Sequence, residues 1–208
     1  GDVGCFSFYP TKNFTTIEGG MIITNSKQIS NYTKSVRNHG ITRSLDSRFS
    51  SGKPWEYDIK ESGFNFRLDE IRSALGLSQM KRLDKFNDLR KEASEYYTSQ
   101  LTDVKGIITP KISKNNENSF HLYIIRITKD FPLTRDVLFK KLLNNGIRTS
   151  VHYKPLNQFT LFKKMAKSYD KLEISNMLYD EILSLPMYPT IRKSDQNYVI
   201  KSIKDGII

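Results

Sequence analysis

Residues 7–20 bring together the groups with the clearest chemical potential: the hydroxyl of Ser7, the phenol of Tyr9, the amine of Lys12 and the pair Gly19-Gly20. Ser7 precedes Lys12 by five positions, and the glycines mark a place where backbone must turn or approach another group closely. A lysine attacks a carbonyl only when neutral, so a catalytic one sits where burial or neighbouring cations lower its pKa, and it then condenses with an aldehyde. Pyridoxal phosphate (PLP) offers that aldehyde, and its phosphate needs hydroxyl and N–H donors held at a fixed distance, a role open to Ser7 on the same loop. Spacing by itself favours the plainer alternative, a solvated lysine on a polar loop.

The elements that must position these groups follow from apolar pattern and punctuation. Residues 4–9 and 20–24 are apolar runs bounded by Gly, Pro and polar residues, and predict two short strands joined by the turn-rich PTKNFTTIEG. Ser26 caps a helix over 27–37, closed by His39-Gly40. Residues 41–66 are rich in Ser, Gly and Asp, too long for a connector, and read as a candidate binding loop. From Leu68 the positions Ile71, Leu75, Leu83, Phe86, Ala93, Tyr97 and Leu101 keep helical spacing, predicting a single helix of about nine turns that bridges domains. Beyond Gly106 a strand (120–127), a helix (135–144, capped by Thr134, closed by Gly146) and a strand (147–153) form a strand–helix–strand unit. Helices are expected at 157–168, 172–182 and 195–204, with the Pro-punctuated 184–189 as a buried strand or extended segment.

The chain has 208 residues, 38% of them hydrophobic, enough to bury a core. Its 33 Lys and Arg against 22 Asp and Glu give a net charge of +11, which suits an anionic ligand such as a nucleotide sugar or a nucleic acid. The basic residues are spread along the chain with no block of like charge, so a solvated surface explains them and nucleic-acid binding is disfavoured. No run of about 18 apolar residues indicates a membrane span, and no signal sequence opens the chain; a cytoplasmic protein is the simplest reading. Cys5, the single cysteine, suits a reducing compartment and reads as a small buried hydrophobe, and no spacing suggests a metal site. The chain opens at Gly1 without Met and plunges directly into an apolar strand, as a fragment would.

The segment FSFYPTKNFTTIEGG closely resembles the cofactor-lysine segment of the PLP-dependent sugar aminotransferases of the DegT/StrS type, whose pattern is FSF-x-P-x-K-x-x-T-x-x-EGG. The likeness continues in order through RNHGITR (37–43), GFNFRLDEIR (63–72), ALGLSQMKRLDKF (74–86), SFHLYII (119–125), GIRTSVHY (146–153) and SLPMYP (184–189). It implies an α/β chain that is the C-terminal part of a fold type I PLP-dependent transferase: the remainder of the large PLP-binding domain (1–66), a long connecting helix (67–102) and a small C-terminal α/β domain (103–208). It implies that Lys12 carries the cofactor, that Ser7 holds its phosphate, and that Asn65 reaches the phosphate in the neighbouring subunit of a homodimer with a cross-subunit active site. Arg67 and His121 match positions lining the substrate cleft, as contacts to a nucleotide diphosphate, although Arg67 could instead pair with Asp69 or Glu70 and His121 could be structural. Tyr9 stands where many relatives have His, which leaves the sugar open.

The implied reaction moves an amino group, from glutamate by resemblance, to a keto group of a nucleotide-linked deoxysugar, with Lys12 shuttling the proton. The lysine disfavours the related dehydratases that carry His there. The Asp, the stacking aromatic and the Gly/Thr loop that relatives place upstream of this segment are absent, so the chain alone is expected to bind cofactor weakly and to be inactive. Two rivals remain, a catalytically incompetent or regulatory version of the fold and a basic nucleic-acid-binding module.

Overall fold

The structure is a computed structural model that describes residues 1–41, 45–50, 52–113, 115–165 and 172–206, with backbone only for 45 and 46. Parts of two expected features, residues 42–44 and 51 of the 41–66 stretch and 166–168 of the helix at 157–168, lie outside the described residues. The chain forms two compact units, Gly1–Leu83 and Asp84–Ile208.

In the first unit, β1 (Gly4–Ser7) and β2 (Gly20–Ile23) pair antiparallel, with Ser7 opposite Gly20 and Gly4 opposite Ile23. Among the described residues of this unit only these two strands pair, and Phe6, Met21, Ile22 and Ile23 stay about half exposed. A two-stranded ribbon is marginal in water, and such apolar edges are surfaces that further strands ordinarily cover. Cys5 is exposed on this ribbon, contrary to its expected burial, because no layer packs over it in the described residues.

Helix α1 (Lys27–Val36) begins where Ser26 Oγ accepts from Ile29 N at 3.3 Å, and ends at Arg37. His39 and Gly40 follow at φ of 64° and 74°, and Gly40 N donates back to Ser35 O. The 41–66 stretch is less irregular than its composition suggests. It contains the short helix α2 (Leu45–Ser50), an Ile41–Ile59 bridge and an Asn38–Asn65 bridge that closes its base.

The single helix expected from Leu68 to Leu101 is two, α3 (Glu70–Met80) and α4 (Leu83–Leu101). Arg82 N donates to Gln79 O, three residues back, so the ladder tightens into a 3₁₀-type turn and is interrupted at Lys81-Arg82. Helical spacing of apolar residues survives such a break, since two successive helices can keep the same register. Asp69 caps α3 through Oδ1 and Arg72 N at 2.8 Å.

The second unit is built on an antiparallel sheet in the order β3 (Ile107–Ile108), β4 (Tyr123–Ile127), β5 (Ile182–Leu185). Alternate residues of β4, Tyr123, Ile125 and Ile127, are buried, the period-2 pattern of a sheet with one face on a core. They meet Tyr97 and Leu101 of α4, Leu138 and Leu142 of α5 (Arg135–Asn144), Leu183 and Leu185, and Val199, Ile200 and Ile203 of α8 (Lys193–Lys204). Each fully buried Leu or Ile there contributes about 1.5–3 kcal/mol relative to exposure. Thr134 caps α5, and Gly146 at φ 75° ends it with Ile147 N reaching Leu142 O at 2.8 Å.

The expected strand at 147–153 is absent: only Ser150 bridges to Ser184, so the third strand of the sheet is β5 instead. Short apolar runs do not reveal their partners: Ile147 N turns back to Leu142 O at the end of α5, and the pairing with β5 is confined to Ser150 and Ser184. The expected strand at 120–127 begins at Tyr123, which leaves His121 just outside it. Between Pro155 and Met165 a 3₁₀ turn (Leu156–Gln158) precedes α6 (Thr160–Met165), and α7 (Glu173–Glu181) leads into β5.

Candidate functional site

The loop carrying Lys12 is knitted to itself through the backbone of Phe8. Phe8 N donates to Gly19 O at 2.9 Å, while Phe8 O accepts from Thr16 N at 3.0 Å and from Thr15 Oγ1 at 2.8 Å. Thr16, 2% exposed, donates through Oγ1 to Glu18 O at 2.9 Å. Ile17 takes φ 70°, a strained value for a β-branched residue, and its N–H is held by Thr15 Oγ1 at 2.8 Å. These bonds leave little room: a Cβ on Gly19 would stand 2.4 Å from Thr16 Oγ1, and one on Gly20 would stand 2.8 Å from Phe6 O. Gly76 of α3 is buried against the same loop, with its missing Cβ 2.9 Å from Thr16 Cγ2.

On this frame Lys12 is half-buried, its N–H donating to Tyr9 O at 2.9 Å in the turn at Pro10-Thr11. Ser7 ends β1, and its Oγ accepts from Tyr9 N at 3.4 Å, which leaves the hydroxyl proton to donate elsewhere. Tyr9 is about half exposed. Of the sequence-predicted residues, Ser7 thus closes β1, and Tyr9 and Lys12 bound the turn that follows it.

Asn65 and Arg67 are placed by the end of α1. Phe64 N donates to Val36 O at 2.7 Å, His39 N to Phe64 O, and Phe66 N to Arg37 O at 2.8 Å. Gly40 and Gly63 permit that crossing, since a Cβ on Gly40 would lie 2.0 Å from Glu61 O and one on Gly63 would lie 2.1 Å from Gly40 N. Arg67 Nε donates to Asn65 Oδ1 at 3.0 Å and its Nη1 to Asn38 Oδ1 at 3.3 Å. Arg67 does not pair with Asp69, whose carboxylate is taken by Arg72 at 3.1 Å. A cavity of about 490 Å³ in this unit is lined by Arg37, Arg67 and Arg72, by Gly19 and Gly20, and by one carboxylate, Glu18. With Arg72 paired to Asp69, Arg37 and Arg67 against Glu18 leave an excess of positive charge that favours an anionic occupant.

His121 lies in the second unit, half-buried, ahead of β4. Its carbonyl accepts from Arg90 Nη1 at 3.3 Å. Sequence patterning passes over Arg90, although it stands in phase with the buried positions Ala93, Ser94, Tyr97 and Leu101 of α4. A charged residue in register with a buried stripe is the signal that would reveal it. Arg37, Asn38 and Arg72 stand in the matched stretches 37–43 and 63–72 but carry no signal of their own, because only folding brings them to Arg67 or to the cavity it lines. His152 bonds Ser184 Oγ through Nδ1 at 2.7 Å.

The sequence profile of the DegT/DnrJ/EryC1/StrS aminotransferase family matches residues 1–204. The chain belongs to this family. Among DegT/DnrJ/EryC1/StrS relatives, a UDP-4-amino-4,6-dideoxy-N-acetyl-beta-L-altrosamine transaminase of Campylobacter jejuni is 33% identical over 198 residues, covering 95% of this chain and 50% of that protein. Helicobacter pylori PseC, an aminotransferase involved in the biosynthesis of pseudoaminic acid, superposes with a TM-score of 0.88 at 29% identity, over 99% of this chain and 53% of that one. The putative sugar aminotransferase Spr1654 of Streptococcus pneumoniae, in its PMP-form, gives 0.89 at 26% identity over 99% and 53%. The chain spans about half the length of the curated relatives it matches, and its fold is a C-terminal part of the α/β, fold type I architecture.

The family depends on PLP, and the donor set here fits it: the amine of half-buried Lys12 for an aldehyde and, five residues earlier at the end of β1, the Ser7 hydroxyl with a proton to donate to a phosphate. Among the described residues no helix is long and apolar enough to cross a membrane.

Proposed function

We propose that the protein containing this chain transfers an amino group, from an amino acid such as glutamate, to a keto carbon of a nucleotide-linked deoxysugar. The observation that carries this reading is the short loop that runs from Ser7, opposite Gly20 at the end of β1, to Lys12, whose backbone N–H closes a turn on Tyr9 O. When bound, PLP supplies the aldehyde and the electron-withdrawing ring that amino transfer requires.

Lys12 would hold the cofactor through its amine, and that amine, when not so engaged, would take and return the proton at the substrate carbon. Ser7 donates its hydroxyl proton to the cofactor phosphate. Asn65, oriented by Arg67, donates its amide N–H to the phosphate bound by a second copy of the chain in a homodimer, and its Oδ1, occupied by Arg67, points that amide. Arg67 and His121 contact the nucleotide diphosphate, for which a planar guanidinium is well shaped, and Tyr9 faces the sugar. The basic surface, +11 overall, raises the local concentration of such an anionic substrate. The division into large-domain remainder (1–66), connecting segment (67–102) and small domain (103–208) belongs to the same reading. So does a cytoplasmic location, which suits a lone exposed cysteine.

The test is single-turnover amino transfer by the holoenzyme with glutamate and a panel of UDP- and dTDP-linked 4-keto sugars. Formation of an amino sugar supports the reading. A holoenzyme that converts none, with the cofactor spectrum unmoved by glutamate, overturns it.

A further inference from the structure

Arg90 is 6% exposed on the inner side of α4, and burial lowers its pKa because the charged form loses its hydration. No carboxylate among the described residues pairs with it, and its Nε is buried without a hydrogen-bond partner. A buried cation is costly unless other dipoles replace its water, and an apolar side chain of similar volume is often neutral or stabilising in such a place. The replacement dipoles are three carbonyls on one nitrogen: Arg90 Nη1 approaches Phe120 O at 3.4 Å, His121 O at 3.3 Å and Met187 O at 3.2 Å.

These carbonyls sit at one end of the sheet. Tyr123 pairs with Leu185, so residues 120–121 and 186–187 are the two stretches just past the last ladder rung of β4 and β5, where the sheet no longer holds them. Tyr97, two turns along α4, adds a bond from its hydroxyl to Pro186 O at 3.2 Å. Phe120 takes φ 49°, a left-handed value that a bulky residue adopts only when its surroundings impose it. It is pinned from both sides, its N–H by Asn118 Oδ1 at 2.7 Å and its carbonyl by Arg90. The strained residue immediately precedes His121.

We propose that Arg90 is a positioning residue whose guanidinium fixes the backbone of Phe120 and His121 and so sets the His121 side chain for contact with the diphosphate of the substrate. This rests on the reading of His121 as a diphosphate contact. A buried charge here specifies one backbone arrangement at the expense of stability, which is the effect expected of a residue that serves a site.

The experiment compares the parent holoenzyme with Arg90→Met, Arg90→Lys, His121→Ala and the two double variants, using UDP and dTDP as probes in calorimetric titrations. The His121 imidazole is followed by ¹H–¹³C NMR and folding by urea denaturation. Arg90→Met is expected to keep or raise the urea midpoint, shift the His121 resonance and weaken the tighter nucleotide about tenfold, with no further loss when His121→Ala is already present. Arg90→Lys keeps the charge but not the three-way reach, and is expected to move the same two signals; it decides the matter if the Met variant fails to fold. If His121→Ala weakens binding while both Arg90 variants leave affinity and resonance unchanged, the positioning role is wrong and the His121 reading stands. If the Arg90 and His121 effects simply add, the role is also wrong. If His121→Ala leaves affinity unchanged, or the parent binds neither nucleotide, the His121 reading itself fails and this inference with it.

Discussion

Arg67 Nε donates to Asn65 Oδ1 at 3.0 Å, so the two polar residues of the GFNFR stretch act as one unit, with Asn38 as its third member. The guanidinium orients the amide and leaves the Asn65 N–H groups as donors. Arg67→Lys loses the planar fork and is expected to weaken binding of a nucleoside diphosphate about tenfold, roughly 1.4 kcal/mol. Calorimetric titration of the holoenzyme measures it, and an unchanged affinity would remove Arg67 from the substrate side of the site.

Gly40 lies where the chain crosses itself under Asn65, at φ 74° and with space for a Cβ only 2.0 Å from Glu61 O. Gly40→Ala therefore carries both backbone strain and a clash, and should cost of order 1–3 kcal/mol. Because the crossing places Asn65, cofactor retention on gel filtration should fall along with the urea midpoint of this unit. A variant as stable as the parent would show that the crossing opens without penalty.

Lys12→Ala removes the amine proposed to hold the cofactor and to move the proton. Amino transfer should fall by at least about 10²–10⁴-fold, the usual worth of a positioned acid–base group. The visible absorbance of lysine-bound cofactor should vanish, while far-UV circular dichroism stays the same. Retention of that absorbance band would refute the assignment.

Tyr123 is buried, and burial pushes its hydroxyl up to about 12 despite the opposing hydrogen bond from Thr98. Burial likewise raises Tyr97, whose ring lies 5.1 Å from that of Tyr123. In the unfolded chain both ionise near 10.0, so above that pH the unfolded state releases protons that the folded state keeps. Their contribution is complete below pH 10 and is lost as pH rises toward 12 and beyond, at up to about 1.4 kcal/mol per pH unit for each tyrosine. Urea midpoints at pH 8, 10 and 11 should fall in that order, and Tyr123→Phe should flatten the alkaline drop. A parent whose midpoint holds steady to pH 11 contradicts this.

Leu138 of α5 is fully buried among Ile125, Leu142 and Ile203, so Leu138→Ala should cost about 2–5 kcal/mol. The effect belongs to the unit Asp84–Ile208, and a urea transition that reports this unit should shift while nucleotide affinity of the folded fraction stays constant.

Much was legible from residue order alone, because it depends on local chemistry. Ser26, Thr134 and Gly146 act where capping preferences place them, the two strands flanking the Lys12 loop form within two residues of their apolar runs, and β5 overlaps the start of the Pro-punctuated segment at Ser184 and Leu185. The motif around Lys12 likewise named the family and the cofactor, since the hydroxyl, amine and glycines of that turn are neighbours in sequence. Which segments pair across distance was decided only by folding: the break at Lys81-Arg82, the failure of 147–153 to become a strand, and the gathering of Asn38, Asn65 and Arg67. Those outcomes depend on which donors and acceptors remain after the core is packed, and no local pattern records that. Arg90 shows the limit most plainly, for its three carbonyl partners stand 30, 31 and 97 residues away and only the packed sheet brings them to one guanidinium.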